Sequence, residues 1–474
     1  MDSVEILKNT PLSAQENMRI VSEVLDPIVN TSTLIRFQVP RAGILRPGSI
    51  VTFKIKSATD NDCFLPLKTG CFSAFSRVEL MLGSRRLQVV EKSALHNTIK
   101  NQFKPCEEQY GLGMVQNGIV TRLSNNTSDN GRMILKDTIQ VGSSNDFKIP
   151  ERYRVTSTHQ TEWSVKLSDL FPMLADLSLP LGNLNENLFI NLHLNTQINT
   201  TRGDKTQPIA VFSKSYAADT SVTVDKDSFQ LVADIVYFDD EKMASLNEKL
   251  MDEEGISMIV DDLIVVTNQT SNLDVSTQTA PLERIISSDL ALNGLSVKNV
   301  VIADRNLTYV ADKADAGLVG EYSSQAYVKP NSIQMRVNDL NVYPRKLINE
   351  QRKIQEVTNC FDNDLYVSNP EYSFNQVSTK SGVFDRANPM LGSTSTLHGF
   401  KLSESLQGMS HYEGVDLSVD RPGRQGVVAN TKINVLRETY PSPTVSDIDS
   451  REQTFFCTTE KMVQFRGGSV TMVN

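Results

Sequence analysis

The chain has 474 residues, 39% of them hydrophobic and 22% charged, too long for one sandwich domain and long enough for two or three. Two cores of roughly 200 residues each bury enough apolar surface to fold without disulfides, and the five scattered cysteines (Cys63, Cys71, Cys106, Cys360, Cys457) show no CxxC or Cys/His spacing, which reads as free thiols in a reducing compartment. The 47 Lys and Arg against 56 Asp and Glu leave a net charge of −9, which favours solubility and speaks against direct nucleic-acid binding, a function that draws on Lys and Arg to neutralise phosphates.

In chain order, residues 1–30 read as an N-terminal arm. They lack the continuous apolar core of a secretory signal, and Leu12 to Leu25 suits a short helix or an extended arm. A first sandwich is expected over 31–239. Leu34, Phe37 and Val39 lie in one β-rich run, and Ile50–Ile55 follows the turn Pro47–Gly48. Val78, Leu80 and Leu82 alternate with Arg77, Glu79 and Met81; Gly83–Ser84 makes a turn, and the strand resumes at Leu87–Val89. Leu95, Ile99 and Phe103, four apart, predict a helix over Lys92–Phe103 that Pro105 stops. Residues 104–160 are rich in loop signals, with Asn117–Gly118 and Asn130–Gly131 as turns. Strand patterns return at Trp163–Leu167, Leu188–Leu194 and Phe229–Phe238.

A linker helix is expected over 240–256, capped by Asp239 or Asp240 and ended by Gly255, with Met243, Leu246 and Leu250 on one face. A second sandwich, 257–474, follows with strand-like runs at Ile259–Val266, Val297–Ile302, Ile333–Val342, Val428–Leu436 and Thr454–Cys457. No apolar run reaches membrane-spanning length.

The two halves repeat one order of elements. Val78, Leu80, Leu82, Gly83 and Leu87 match Ile333, Met335, Val337, Asn338 and Val342 at a constant offset of 255, with Gly83 and Asn338 both able to take a left-handed turn. A helix follows each time; Leu347, Ile354, Val357 and Phe361 carry the helical spacing in the second copy. Further on, Val165–Lys166–Leu167–Ser168 matches Phe400–Lys401–Leu402–Ser403, and Ile190–Asn191–Leu192 matches Ile433–Asn434–Val435. The offset drifts to 235 and then 243, as loop insertions would make it drift. Three matches in one order indicate duplication. Two antiparallel sandwiches with a crossover helix suit a jelly roll, and periodicity alone does not separate that from another Greek-key sandwich.

The segment Ser76–Leu87 with its following helix, and Leu170–Phe171–Pro172–Met173–Leu174 running through Leu179–Asn183 into Leu188–Leu194, resemble the first jelly roll of double jelly-roll major capsid proteins, those of virophages and of Polinton-like or adintovirus-like viruses above all. The resemblance extends as a pattern over most of the chain. It implies an all-β fold of two tandem eight-stranded jelly-roll sandwiches with a few short helices. It also implies a homotrimer whose six sandwiches form a pseudo-hexameric capsomer tiling an icosahedral virion, assembled inside the host cell. The partners it implies are the chain itself, neighbouring capsomers, and penton and minor capsid proteins.

Catalytic signatures are absent: the chain contains no GxxxxGK[ST], GxSxG or HExxH. Gly111–Leu112–Gly113 with Gly118 fails the dinucleotide spacing, and the five histidines (His96, His159, His193, His398, His411) have no companion at ligand spacing. The loop Asn126–Asp137 begins without the Asp and ends without the Glu of a calcium loop, so its ligand charge is low. The acids Asp239, Asp240, Asp252, Glu253, Glu254, Asp261 and Asp262 read as a solvated linker. No catalytic residue, metal or cofactor is therefore expected. One tripeptide has a known binding meaning: Arg202–Gly203–Asp204, in the polar stretch Asn199–Gln207, is of the kind that engages integrin-type receptors, and three-residue matches also arise by chance. Two competing functions remain. A receptor- or glycan-binding attachment protein is disfavoured by a single Trp and no aromatic cluster, and a carbohydrate-active enzyme by unpaired carboxylates.

Overall fold

The computed structural model describes residue 7 and residues 18–57, 63–64, 69–102, 113–118, 138–141, 147–150, 154–155, 160–175, 177–195, 198–199, 212–213, 221–270, 273–274, 282–292, 295–306, 332–337, 340–341, 344–346, 348, 352, 356, 360, 397–401, 431–440, 447–448 and 451–473. The first half supplies eight principal strands. They are β1 (Met18–Leu25), β2 (Leu34–Val39), β3 (Ile50–Ser57), β4 (Phe75–Leu82), β5 (Arg85–Glu91), β6 (Glu162–Lys166), β7 (Leu188–Leu194) and β8 (Ser221–Phe238). The second half supplies eight more: β9 (Ile256–Thr270), β10 (Leu282–Leu290), β11 (Ser296–Asn306), β12 (Ser332–Val337), β13 (Leu340–Asn341), β14 (Leu397–Lys401), β15 (Thr431–Tyr440) and β16 (Arg451–Arg466). A last strand, β17 (Ser469–Val473), folds back on β16.

Each half packs two antiparallel sheets. In the first the orders are β1-β8-β3-β6 and β2-β7-β4-β5; in the second they are β9-β16-β11-β14 and β10-β15-β12-β13. Adding eight to each label of the first half gives the second, so both sandwiches follow one jelly-roll plan. The sequence matches fall on equivalent strands: the hairpins at 78–87 and 333–342 are β4–β5 and β12–β13, the KLS segments enter β6 and β14, and the Ile-Asn segments lie in β7 and β15. Even the register agrees. Ile190 pairs with Leu80 and Leu192 with Val78, while Ile433 pairs with Met335 and Val435 with Ile333.

Alternation places Leu188, Ile190, Leu192 and Leu194 of β7 and Val78, Leu80 and Leu82 of β4 inside the first sandwich, against Val51, Phe53 and Ile55 of β3. Phe53 stacks on Phe229 at 4.9 Å and meets Phe75 edge-on at 5.2 Å. Gly83 takes φ +57 in the β4–β5 turn, the conformation that its residue type was expected to supply. The helix expected near 92–103 is α1 (Ser93–Gln102), with Leu95 and Ile99 buried. Leu167 leaves its strand to start a short helical turn, Leu167–Leu170. Residue Phe103, and all but isolated positions of the second-copy helix over 347–361, lie outside the described residues.

The N-terminal segment differs from the reading of Leu12–Leu25 as a helix or arm. Met18–Leu25 is the edge strand β1, fully paired from Met18↔Phe238 to Leu25↔Leu231. Ahead of it, Leu7 is buried in the first core and its carbonyl accepts from the Ser178 amide at 2.8 Å. Among the described residues no helix is long and apolar enough to cross a membrane.

Leu192 is fully buried and bridges β2 and β4 through Ile35 and Val78. Leu192→Ala is expected to destabilise the chain by about 2–5 kcal/mol. Urea unfolding would show it as a lower midpoint at unchanged m-value.

Candidate functional site: the junction of the two sandwiches

The most developed site among the described residues is the contact between the sandwiches. A two-layer sandwich buries one face of each sheet and leaves the other polar. The β9-β16-β11 sheet departs from that rule. Ile264, Val266, Phe455, Cys457, Val300 and Ile302 pack in the core of the second sandwich. On the opposite face Leu263, Val265, Phe456, Val301 and Ala303 are continuous with the core of the first. The sequence signal was available: Leu263–Val266, Phe455–Cys457 and Val300–Ala303 are unbroken apolar runs, the mark of strands covered on both sides.

The cover comes from β5, from α1 and from the turn Pro172–Leu174, where the sequence stops alternating. The Gln88 amide nitrogen donates to the Asp261 carbonyl at 3.1 Å and to Asp262 Oδ1 at 3.0 Å, while its Oε1 accepts from the Met173 amide at 3.0 Å. One buried amide thus ties β5, the turn and β9 together with its hydrogen bonds satisfied. Lys92 Nζ reaches Glu452 Oε1 at 2.8 Å and donates to Thr454 Oγ1 at 3.2 Å. The His96 ring lies 5.5 Å from that of Phe456.

A second tie runs through the linker helix α2 (Asp240–Met251). Asp239 caps it by accepting from the Lys242 amide at 3.0 Å, and Leu246 and Leu250 are buried. Gly255 then turns the chain at φ +64; a Cβ there would stand 2.2 Å from the Phe465 carbonyl oxygen, so glycine is required. The β16–β17 hairpin closes the arrangement. The Gly467 amide donates to Leu250 O at 3.0 Å, and the Asn185 amide donates to Gly468 O at 2.8 Å.

The acids read as a solvated linker separate into two groups. Asp240, Asp252, Glu253 and Glu254 are exposed around α2. Asp261 and Asp262 are not solvated linker residues, because β9 carries them into the junction. Lys298 Nζ pairs with Asp261 Oδ1 at 3.0 Å and Lys461 Nζ with Asp262 Oδ2 at 2.6 Å. Among the described residues no three His, Cys, Asp or Glu side chains converge as metal ligands.

The outer face of β2-β7-β4-β5 has a different character. Glu79 is nearly buried there, with Asn191 Nδ2 donating to it at 3.1 Å and with Arg77 and His193 beside it. Burial opposes its ionisation, but the Asn191 hydrogen bond and the charges of Arg77 and His193 prevail and hold its pKa below the usual carboxylate value. Cys71, Cys360 and Cys457 are buried thiols outside any disulfide. Burial pushes the Cys71 and Cys457 thiols up, which keeps them unreactive. Of the other positions singled out in sequence, Arg202, Gly203 and Asp204, the loop Asn126–Asp137, His159 and His411 lie outside the described residues. Asn199 is described, in a two-residue strand paired with Ser221.

Burial in the junction, reinforced by the Lys100 charge, pushes the His96 pKa down to about 3. The folded state therefore holds His96 neutral while the unfolded chain takes up a proton below about pH 6.5. Stability contributed this way is complete above about pH 6.5 and declines as the pH falls below it, by at most about 2 kcal/mol between pH 6.5 and pH 5. Melting curves across that range should show His96→Gln to have a flatter pH dependence than the parent.

No protein-family model matches the chain, and no curated protein sequence does. Solved structures match along almost its whole length. The PBCV-1 virus capsid is similar at 12% identity and a TM-score of 0.55, covering 98% of each chain. The Faustovirus major capsid protein is similar at 9% identity and a TM-score of 0.58, covering 96% of this chain and 92% of its own. A chain of the Sputnik virophage matches at 10% identity and a TM-score of 0.55, covering 98% and 90%. At such identities the likeness is one of fold, and the fold of this chain is the double jelly roll that these viral proteins share.

Proposed function

We propose that this chain is the major capsid protein of an icosahedral virus, associating as a homotrimer whose six sandwiches make a pseudo-hexameric capsomer. The observation that carries the reading is the duplicated strand plan fused by an apolar junction, matched over 98% of both chains by the PBCV-1 virus capsid. The junction holds the two sandwiches as one body, which a tile in a shell requires. The chain's work is then done by surfaces and not by a pocket, in keeping with the absence of catalytic motifs from the sequence. Its proposed partners are further copies of itself, with penton and minor capsid proteins at other positions of the shell. Its proposed location is the virion, after assembly in the reducing interior of a host cell, where free thiols persist. The proposed first-jelly-roll, linker and second-jelly-roll segments are 31–239, 240–256 and 257–474, preceded by residues 1–30, of which β1 belongs to the first sandwich.

Purified protein is expected to run as a trimer by light scattering and to give hexagonal particles by negative-stain microscopy. A monomer at all concentrations would overturn the reading. Specific binding on a glycan array would favour the attachment-protein alternative, with the Arg202–Gly203–Asp204 loop as its proposed receptor contact.

A further inference from the structure

The junction differs from end to end, and β16 runs along it. At one end the Gly467 amide donates to Leu250 O at 3.0 Å and Gly255 sits against the Phe465 carbonyl, so the covalent linker joins here. Gln88 holds the middle through Asp261 and Asp262, which pair with Glu460 and Thr459. At the other end Lys92 and α1 meet β16 at Glu452, Thr454 and Phe456. With a rise of about 3.3 Å per residue, the stretch from Glu452 to Phe465 is about 40 Å long. The α1 end is therefore the end farthest from the covalent connection.

That end is strained and sensitive to charge. Lys92 has φ +50, the one positive value at a non-glycine among the described residues. A lysine in that conformation is strained, and its Nζ contacts with Glu452 and Thr454 across the junction hold it there. His96 lies one helical turn further on, its amide donating to the Lys92 carbonyl at 3.0 Å. The ring is partly covered at the rim of the junction, against Phe456, and its buried Nδ1 has no hydrogen-bond partner among the described residues.

The groups around α1 offer an imidazolium no counter-ion. Lys100 stands on the same helix, and its charge opposes protonation of His96. Asp169 of the Leu167–Leu170 turn lies 3.8 Å from Lys100 Nζ, Glu452 of β16 is taken up by Lys92, and Glu91 of β5 by Arg77. The Gly70–Ala74 turn contributes the buried Cys71 thiol.

We propose that α1 is an acid-released latch on the junction: protonation of His96 lifts α1 off β16 and relaxes Lys92 while the α2 end stays closed, so the two sandwiches part from one end. Acid then uncovers the apolar face of β9-β16-β11 at Val301, Ala303 and Phe456. Closed, His96 stays neutral down to about pH 3; released, it takes up a proton below about pH 6.5. The released population is flat above that pH and rises by up to tenfold for each unit below it, about 30-fold from pH 7.5 to pH 5. The latch does not rest on the capsomer reading.

Thiol labelling with 4,4′-dithiodipyridine tests it, read peptide by peptide by mass spectrometry. At each pH the rate is divided by that of the same cysteine in urea, which leaves the population in which the thiol is exposed. Ala303→Cys places the reporter on the covered face opposite Thr454; Val463→Cys places one near the linker end; native Cys457, in the core of the second sandwich, reports global unfolding. Ala303→Cys should label at least tenfold faster than Cys457 and Val463→Cys at pH 5, and should gain up to about 30-fold between pH 7.5 and pH 5. His96→Gln should abolish the gain. Glu452→Gln, which removes the partner of Lys92, should raise labelling at every pH and leave the gain unchanged. If Ala303→Cys does not fold, native Cys360, 4% exposed and packed with the same core, is the reporter in its place. If His96→Gln does not fold, the pH profile of the parent decides, and a flat profile from pH 7.5 to pH 5 overturns the latch. Labelling of the junction reporter no faster than that of Cys457 overturns it in favour of global unfolding, and so does an equal gain in His96→Gln, in favour of another titrating group.

Discussion

The β9-β16-β11 sheet is apolar on both faces, and the arrangement of the chain follows from the need to cover the second one. Inside its own sandwich the sheet is covered by β10-β15-β12-β13. Outside, Leu263, Val301 and Phe456 would form an apolar patch large enough to aggregate if the first sandwich did not lie on them. At about 1.5–3 kcal/mol for each large side chain fully buried, even a few such residues outweigh the few tenths that a surface ion pair contributes. The polar ties then set register more than strength. Gln88 reaches Asp261 and Asp262 on β9, Lys92 reaches Glu452 and Thr454 on β16, and the Asn185–Gly468 bond fixes the hairpin.

That division of labour explains why the junction carries partly buried polar groups. A purely apolar face slides, because dispersion and hydration are not directional. Gln88 donates twice to β9, so a shift of one residue along β9 would strand both of those bonds in a buried site. His96 acts in the same sense. Held neutral against Phe456, it keeps its packing as the pH falls through 6.5, while protonation of the unfolded chain lowers the stability of the fold.

Much of this plan was legible in the sequence. The β4–β5 and β12–β13 hairpins were readable because inward Val78, Leu80 and Leu82 recur at one offset as Ile333, Met335 and Val337. The Ile-Asn match was readable because β7 and β15 lie in the middle of their sheets, where little change in register is tolerated, and the KLS match marks the edge strands β6 and β14. β1 escaped because an edge strand with an exposed apolar face, Met18-Arg19-Ile20-Val21, alternates poorly and resembles an arm. β10 escaped because it holds Ile285–Ile286 side by side, where its pairing with β15 slips between Arg284 and Ile286. The junction escaped for another reason. Its signal is the continuous run Leu263–Val266, and a continuous run says that both faces are covered without saying by what.

The duplication also shows where the two sandwiches had to diverge. Corresponding inward residues stay apolar: Val51, Leu231 and Leu25 against Val300, Cys457 and Ile264. Two of three corresponding outward residues do not. Where the second sandwich has Leu263, Phe456 and Val301, the register places Val24, Gln230 and Thr52 on the first. A face covered within one chain is never seen by water once folded, and can be as apolar as a core. A face that stays open to water keeps a surface-like mix, with a few large apolar residues among polar ones. Val24 and Ile20 beside Gln230, Thr52 and Asp234 form such a mix on the outer face of the first sandwich.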